Sequence, residues 1–324
     1  MKTRIYLDSF LGPLRSYLDQ KDVTDIWINR PGEVWIETAS GRIECSNEPL
    51  LTDQALDRLA RQVASFSHQG FNREQPLLSA SLPDGSRIQV IGPPATREGF
   101  AVAIRRHNLS DIPLGALSES GLFDAIETDA SQRAGDELQA LLDKRDFNGF
   151  LKTAVRQRKT ILLSGGTSSG KTTLLNALIK EIPQAERLVV IEDAPEVRLI
   201  HANAVGLIAT RGGEGEAQVD VEDLLQASLR MRPDRIMLGE LRGKEAFSFL
   251  RAVNTGHPGS ITTLHADSPA GAIDQIALLS LMNGARLDWN TITSYVRRVI
   301  EVIVQMRRVG GERRVVEVVY NRLG

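Results

Sequence analysis

The sequence is poor in cysteine, in aromatic residues and in net charge. Its 324 residues include one cysteine, Cys45, and 5% aromatic residues, and 39 Lys and Arg stand against 41 Asp and Glu, a formal net charge of −2. A single cysteine excludes an internal disulfide and a cysteine-rich zinc site, which predicts a reducing compartment. Proteins held to nucleic acid by overall charge have a strong basic excess, and this chain has none.

Long hydrophobic runs are missing as well. Apolar stretches such as residues 160–164 and 299–306 have the length of a strand, far short of the roughly 18 residues of a membrane-spanning helix. Asp8 interrupts the apolar core that a secretion signal needs near the N-terminus. We therefore expect a soluble, cytoplasmic protein.

The length predicts two domains, because domains average roughly 150 residues. Residues 1–107 have the pattern of a mixed α/β domain, with a helix capped by Thr52. We interpret residues 108–148, rich in Ala, Glu and Asp, as an inter-domain connector. In residues 149–324 strands and helices alternate, which is typical of a parallel α/β sheet.

Hydrophobic periodicity places the individual elements. In the first domain it predicts a helix within 11–18, strands at 25–29, 33–37, 87–91 and 100–105, and a continuation of the first hairpin at 41–44. In the connector it predicts helices around 118–125 and 136–142. In the second domain it predicts strands at 160–164, 187–191, 235–238 and 260–264, helices at 171–182, 220–231 and 244–253, a helix from 269, and a final hairpin of 299–307 and 314–320.

A phosphate-binding loop is the most specific motif in the chain. Residues 165–172 read Gly-Gly-Thr-Ser-Ser-Gly-Lys-Thr and match G-x-x-x-x-G-K-[ST] at every fixed position, between a predicted strand and a predicted helix. Backbone N–H groups and the helix N-terminus bind phosphate, Lys171 reaches the β- and γ-phosphates, and Thr172 ligates Mg²⁺. We predict that a nucleoside triphosphate binds here. The expected binding residues are Gly166, Thr167, Ser168, Ser169, Gly170, Lys171, Thr172 and Thr173.

Carboxylates follow two predicted strands, at the edge where ligands of open α/β sheets bind. Gly239 takes the place of the usual strand-end Asp, and Glu240 follows it, so Glu240 is the candidate for polarising the attacking water and for contacting the metal. Glu192 opens the acidic run 192–196 and is a further candidate for catalysis and for Mg²⁺. The alternative is that this run is only a solvated acidic turn.

Two of the five histidines, His257 and His265, flank the predicted strand 260–264. We expect both at the same edge of the sheet, where His265 senses the γ-phosphate. A structural role is the alternative, and it stays open for His257 in particular. A metal site is not favoured, because no third His or Cys lies at a suitable spacing.

Together these motifs resemble the secretion superfamily of traffic ATPases, most closely the branch that serves type IV secretion and conjugation. The corresponding boxes are 165–173 (P-loop), 192–196 (acidic box), 238–242 (second Walker motif) and 256–266 (histidine box). The resemblance implies a RecA-like P-loop NTPase domain at the C-terminus and a smaller mixed α/β N-terminal domain that covers the nucleotide. The related branches for type II secretion and type IV pili usually carry a four-cysteine zinc module, which Cys45 alone cannot supply.

The resemblance also implies a catalytic role for arginines of the N-terminal domain. In such enzymes these arginines lie over the bound nucleotide and contact it, and by resemblance we assign this role to Arg87 and Arg105. A guanidinium suits phosphate oxygens and stabilises charge in the transition state. The alternative is a surface salt bridge.

The implied activity is that of an ATPase that uses ATP and Mg²⁺. It would form a homo-hexameric ring, contact inner-membrane components of a type IV secretion system as a peripheral protein, and power substrate translocation or pilus assembly through domain motion. No direct sequence-specific contact with nucleic acid is expected. The alternatives are a nucleic-acid-dependent RecA-like translocase or helicase and a non-hydrolysing assembly platform.

Overall fold

Two β-sheets, one in each half of the chain, organise the fold. The computed structural model describes residues 7–106, 119, 124, 130–210, 215–282 and 287–321. The first sheet has six strands, and the second has seven. None of the helices in these ranges combines the length and hydropathy of a membrane span.

The first sheet is antiparallel throughout. Its strands are β1 (Val23–Ile28), β2 (Glu33–Thr38), β3 (Ile43–Asn47), β4 (Leu77–Ser81), β5 (Arg87–Ile91) and β6 (Ala101–Arg105). They lie in the order β3-β2-β1-β6-β5-β4. A 3-10 turn (Gly12–Leu14) and α1 (Arg15–Leu18) precede it, and α2 (Asp53–Phe66) follows β3. The Thr52 hydroxyl accepts the Ala55 N–H and begins α2. The apolar face of α2 packs on one face of this sheet and encloses the N-terminal core.

The second sheet is parallel except for its last pair, the antiparallel hairpin of β12 and β13. Its strands are β7 (Ile161–Gly165), β8 (Leu188–Glu192), β9 (Ala204–Ile208), β10 (Arg235–Leu238), β11 (Ile261–Leu264), β12 (Val302–Val309) and β13 (Glu312–Tyr320). They lie in the order β13-β12-β7-β11-β10-β8-β9. The helices are α3 (Ala130–Asp143), α4 (Phe147–Arg156), α5 (Lys171–Ile179), α6 (Val221–Ser228), α7 (Glu245–Asn254), α8 (Pro269–Met282) and α9 (Trp289–Val299).

Helices cover both faces of this sheet. Alternate strand residues point into two cores, one shared with α4 and α5 and one shared with α6 to α9. Burial on both faces explains why the strands read as continuous apolar runs in the sequence. The structure confirms the predicted α/β class, and it places the four predicted central strands within one residue at each end.

Some sequence predictions need correction or lie outside the described residues. β4, β9, α4 and α9 have no counterpart among the predicted elements. About half of the predicted connector 108–148, including most of the predicted helix around 118–125, falls outside the described ranges. Of the described part, α3 lies within the connector, and Leu138 of α3 is buried in the C-terminal core. That part of the connector therefore belongs with the second sheet, and the exact domain boundaries stay a prediction.

The second face of the first sheet packs directly on the C-terminal half. Trp27 and Ala103 lie in the same core as residues of α6 and β8. The loop after β5 also adds to the free edge of β9: Arg97 N donates to Gly206 O (3.0 Å), and Ile208 N donates to Ala95 O (2.9 Å). The two halves therefore share both a core and backbone hydrogen bonds.

A fully buried arginine, Arg187, lies at the centre of this contact. Its guanidinium stacks 4.7 Å from the centroid of the Trp27 ring and donates to the side-chain oxygens of Asn29 and Asn203. A third hydrogen bond goes to the carbonyl of Met231 (3.0 Å). Burial lowers the pKa of Arg187 to about 9, so the side chain stays charged at neutral pH and ties the N-terminal sheet to the C-terminal half.

Arg97 forms the second buried link between the halves. Its guanidinium donates to Val197 O (2.7 Å) and makes an ion pair with Glu192, and the two side chains are only 14% and 3% exposed. The arginine reaches Glu192 by crossing β9 over Gly206, where a Cβ would lie 2.5 Å from Arg97 Cδ. A glycine at position 206 therefore makes room for the ion pair.

We expect Arg97→Ala to destabilise the protein by about 3 kcal/mol, because it leaves the buried Glu192 carboxylate without its cation. Arg73 provides a matched control, since its ion pair with Glu216 also joins the two halves but is 60% and 48% exposed. Arg73→Ala should leave the midpoint of urea unfolding nearly unchanged. Equal midpoint shifts in the two variants would contradict the assigned importance of the buried pair.

Candidate nucleotide-binding site

The loop between β7 and α5 forms one wall of a cleft of about 380 Å³. Ser168 (φ 60°) and Gly170 (φ 99°) have left-handed backbone conformations that turn the chain tightly before α5 begins at Lys171. At Gly165 a Cβ would lie 2.4 Å from Met306 O, so β12 permits only glycine there. The strand, loop and helix predicted from the motif are thus present, with the loop open to the cleft.

Lys171 lies at the mouth of this loop. Its ammonium donates to Gly165 O (2.7 Å) and Gly166 O (3.1 Å) and lies 3.4 Å from His265 Nδ1. Burial lowers the pKa of Lys171, and the charge of Glu240 opposes that effect. The cation is therefore held where phosphate oxygens would replace its carbonyl partners.

Glu240 follows β10 and points into the same cleft. Its Oε1 lies 3.0 Å from His265 Nε2, and its Oε2 accepts a hydrogen bond from Arg242. The Arg242 guanidinium also lies 3.7 Å from Asp193. The structure thus brings together the predicted residues Lys171, Glu240 and His265, and it fixes the Glu240 carboxylate from two sides.

His257 does not reach the cleft, and the expectation that both histidines lie at one edge of the sheet is wrong. His265 follows the carboxyl end of β11, whereas His257 precedes its amino end. The His257 Nδ1 lies 2.9 Å from the carbonyl of Ala252 in α7. Because a strand carries its two ends to opposite edges of the sheet, His257 has the structural role that the sequence left open.

The acidic run places two glutamates differently. Glu192 Oε1 accepts the N–H groups of Glu196 (3.0 Å) and Val197 (2.9 Å), while its Oε2 faces Arg97. Glu196 instead extends to the P-loop helix, where its Oε2 accepts the hydroxyl of Thr172 (3.0 Å). Glu192 therefore shapes the acidic turn, and Glu196 is the carboxylate beside the predicted Mg²⁺ ligand. A metal-ligating role for Glu192 stays a prediction.

The residues around Thr172 fit Mg²⁺ bound together with a nucleotide. Among the residues that the structure describes, no group of three or more His, Cys, Asp or Glu forms a metal cage. Mg²⁺ in nucleotide sites does not need one, because it takes one or two protein ligands and completes its octahedron with phosphates and water. Thr172 with Glu196, and Glu240 across the cleft, supply that set of oxygens.

Arg87 and Arg105 do not lie at this cleft within the chain. They are directly opposite each other on β5 and β6 and line a separate cavity of about 640 Å³ together with Arg230 and Arg232. The structure therefore separates them from Lys171 of the same chain, and their role at the nucleotide stays a prediction.

Arg97, Arg242 and Arg313 reach the cleft or its acidic turn, although the sequence did not single them out for this role. Arg242 is the last residue of the second Walker box, so its place near the nucleotide could have been predicted from that motif. Arg97 and Arg313 come from a loop of the N-terminal half and from the C-terminal hairpin, and no local pattern marks them.

Comparison with known proteins agrees with this geometry. A family model described as type II/IV secretion system protein matches residues 9–310. The type IV secretion system protein VirB11 of Bartonella quintana is 38% identical over 327 residues, covering 96% of this chain and 92% of that protein. PtlH, a type IV secretion system protein of Bordetella pertussis, is 40% identical over 322 residues, covering 97% and 95%.

The solved structures include a close match in fold. The crystal structure of the VirB11 ATPase from the Brucella suis type IV secretion system, in complex with sulphate, superposes with a TM-score of 0.92 at 37% identity and covers 98% of this chain and 95% of that one. This likeness confirms the predicted RecA-like C-terminal domain with its smaller N-terminal domain. The resemblance read from the sequence motifs is confirmed over nearly the full length, and the chain belongs to the type II/IV secretion system protein family.

Proposed function

We propose that the protein is an ATPase that powers substrate translocation or pilus assembly by a type IV secretion machine. The observation that carries the proposal is the convergence of Lys171, Glu240 and His265 on the P-loop cleft. The relatives VirB11 and PtlH are type IV secretion system proteins, which supports the machine that we assign.

The chemistry follows from the positions of the chain's own groups. The loop N–H groups and Lys171 bind the phosphates, and Thr172 with Glu196 would hold Mg²⁺. The bound metal would neutralise charge on the phosphoryl oxygens. Glu240 orients the attacking water and accepts its proton, while His265 and Arg242 keep that carboxylate in place. Catalysis then rests on positioning and electrostatics.

Two substitutions separate nucleotide binding from hydrolysis. Lys171→Ala should lower both nucleotide affinity and turnover, whereas Glu240→Gln should retain ATP binding and lower kcat by about 10²- to 10⁴-fold, the range for loss of a general base. Fluorescent-nucleotide binding and phosphate release measure the two effects. Lys180→Ala is the matched control, because Lys180 is exposed at the other end of α5. Turnover like that of the wild type in Glu240→Gln would refute the role of Glu240.

We infer that the arginine finger acts between copies. Arg87 and Arg105 line a cavity away from their own chain's cleft, and the buried links of Arg97 and Arg187 hold the first sheet there. An arginine from a neighbouring copy can complete the cleft in a head-to-tail ring, since such contacts close into rings. A homo-hexamer is the ring that the family resemblance implies.

A mixing experiment tests this arrangement. Lys171→Ala and Arg105→Ala chains, each inactive alone, should regain activity when co-expressed, because an Arg105→Ala chain keeps its own P-loop and receives Arg105 from a Lys171→Ala neighbour. In a head-to-tail ring assembled at random from equal amounts of the two chains, about a quarter of the sites combine an intact P-loop with an intact Arg105. Co-expressed Lys171→Ala and Glu240→Gln chains are the control, since both defects lie on the same side of the site. Recovery no greater than in this control would exclude action between copies.

The same geometry favours motion between copies. Within one chain the two halves share a core and two buried arginines. We therefore propose that hydrolysis changes the contact between the N-terminal half of one copy and the C-terminal half of the next. The partners would be inner-membrane components of the secretion system, bound peripherally from the cytoplasmic side.

A further inference from the structure

The C-terminal hairpin extends past the end of the P-loop strand. β12 pairs in parallel with β7 from Val302 to Met306, where the partner is Gly165, the last residue of β7. β12 then continues to Val309, turns at residues 310–311 and returns as β13. The tip of the hairpin, residues 307–314, therefore lies beside the phosphate-binding loop.

Arg313 is the residue of this tip that reaches the nucleotide cleft. It lines the cleft together with the P-loop residues. Its aliphatic stem lies against Gly170, where a Cβ would be 3.0 Å from Arg313 Cδ and 3.4 Å from Met306 Cε. Gly170 immediately precedes α5, so Arg313 stands at the helix side of the loop, with its stem held by packing.

The other arginines of the tip already have partners. Arg307 donates to Asp267 O (3.0 Å), Arg308 to Gly311 O (3.2 Å) and Arg314 to Glu312 (2.6 Å). For Arg313, the described ranges contain no carboxylate or carbonyl within hydrogen-bond distance of the guanidinium. A cation without a partner on the wall of a cleft is suited to an anion that enters from solution.

The charge pairing in and around the cleft also indicates that Arg313 is available for a ligand. Arg242 is engaged by Glu240 and Asp193, and Arg97 by Glu192. Lys171, at the opposite side of the loop near His265, is the other lining cation without a carboxylate hydrogen bond. The Lys171 ammonium lies at Gly165 and Gly166, and the Arg313 stem lies at Gly170, so the two cations contact different ends of the loop.

We propose that Arg313 is a further nucleotide-binding residue and that its guanidinium binds the α- and β-phosphates. This assignment rests on the proposed nucleotide-binding function of the same cleft. In P-loops the backbone N–H groups hold the α- and β-phosphates and the lysine reaches the β- and γ-phosphates. Arg313 therefore complements Lys171 from the helix side, and its planar fork suits two phosphate oxygens. Because ADP and ATP share these phosphates, Arg313 strengthens the binding of both.

The test compares Arg313→Ala with Arg314→Ala by isothermal titration of the full-length protein with adenosine, AMP, ADP and a non-hydrolysable ATP analogue. The wild type and Lys171→Ala are titrated alongside. Arg314 is the next residue of the same strand, is paired with Glu312 and is exposed. We expect Arg313→Ala to weaken ADP and the ATP analogue equally, by about 10- to 100-fold, the loss typical of charge-assisted hydrogen bonds. AMP should lose less, Arg314→Ala should stay within about twofold, and Arg313→Lys should retain part of the affinity.

Each contrary outcome has a definite meaning. ADP affinity of Arg313→Ala equal to that of the wild type or of Arg314→Ala overturns the proposal and leaves the proposed function intact. An equal loss for ADP, AMP and adenosine assigns the contact to the nucleoside and overturns the phosphate role. If the wild type binds ADP no better than Lys171→Ala, the proposed function itself fails. The unfolding temperature of each ligand-free variant confirms that the folded protein is compared.

Discussion

The ion pair of Arg97 and Glu192 is the interaction on which the rest of the molecule depends. It joins a loop of the N-terminal half to the end of β8 in the C-terminal half, with both groups removed from water. Removing two charges from water is costly unless their remaining hydrogen bonds are made. Glu192 meets this condition by also accepting two backbone N–H groups of the acidic turn. The position of the N-terminal sheet and the shape of the acidic turn are therefore fixed together.

The shape of the nucleotide cleft depends on that acidic turn. Glu196, four residues after Glu192, receives the hydroxyl of Thr172 at the start of α5. A continuous path of contacts thus runs from the N-terminal loop through Arg97, Glu192 and the acidic turn to the P-loop helix. The same packing holds Arg87 and Arg105 at a different cavity.

The pairing of charges explains how a cleft rich in carboxylates suits a polyanion. Four acidic side chains line it, those of Glu192, Asp193, Glu196 and Glu240. Glu192 is neutralised by Arg97, Asp193 and Glu240 lie beside Arg242, and Glu196 lies on Thr172 beside the expected Mg²⁺. Lys171 and Arg313 remain available for the phosphates. The electrostatic potential in the cleft is therefore more positive than its four acidic side chains alone would suggest.

The sequence by itself determined the features that depend on neighbouring residues. The P-loop, the Thr52 cap, the central strands and the order of the motif boxes are local patterns, and together they predicted both the fold class and the family. β9 escaped prediction although it is as long as the predicted strands β7 and β8, because it has Gly206 at its centre, which weakens a strand pattern. The reason for a glycine at position 206 is visible only in the tertiary structure, where the Arg97 side chain crosses over it and leaves no room for a Cβ.

Only the tertiary structure decided which distant side chains meet. Arg313 reaches the P-loop cleft and Arg97 reaches the acidic turn beside it, although the two arginines are far apart in the sequence. His257 lies away from the cleft despite its place in the histidine box. Strand order, register and the contact between the two sheets set these distances, and none of them is encoded in local spacing. The sequence therefore determined that a phosphate-binding loop is present. The packing of the two halves decided that Arg97 meets the acidic turn, and the register of β12 with β7 decided that Arg313 lies beside the loop.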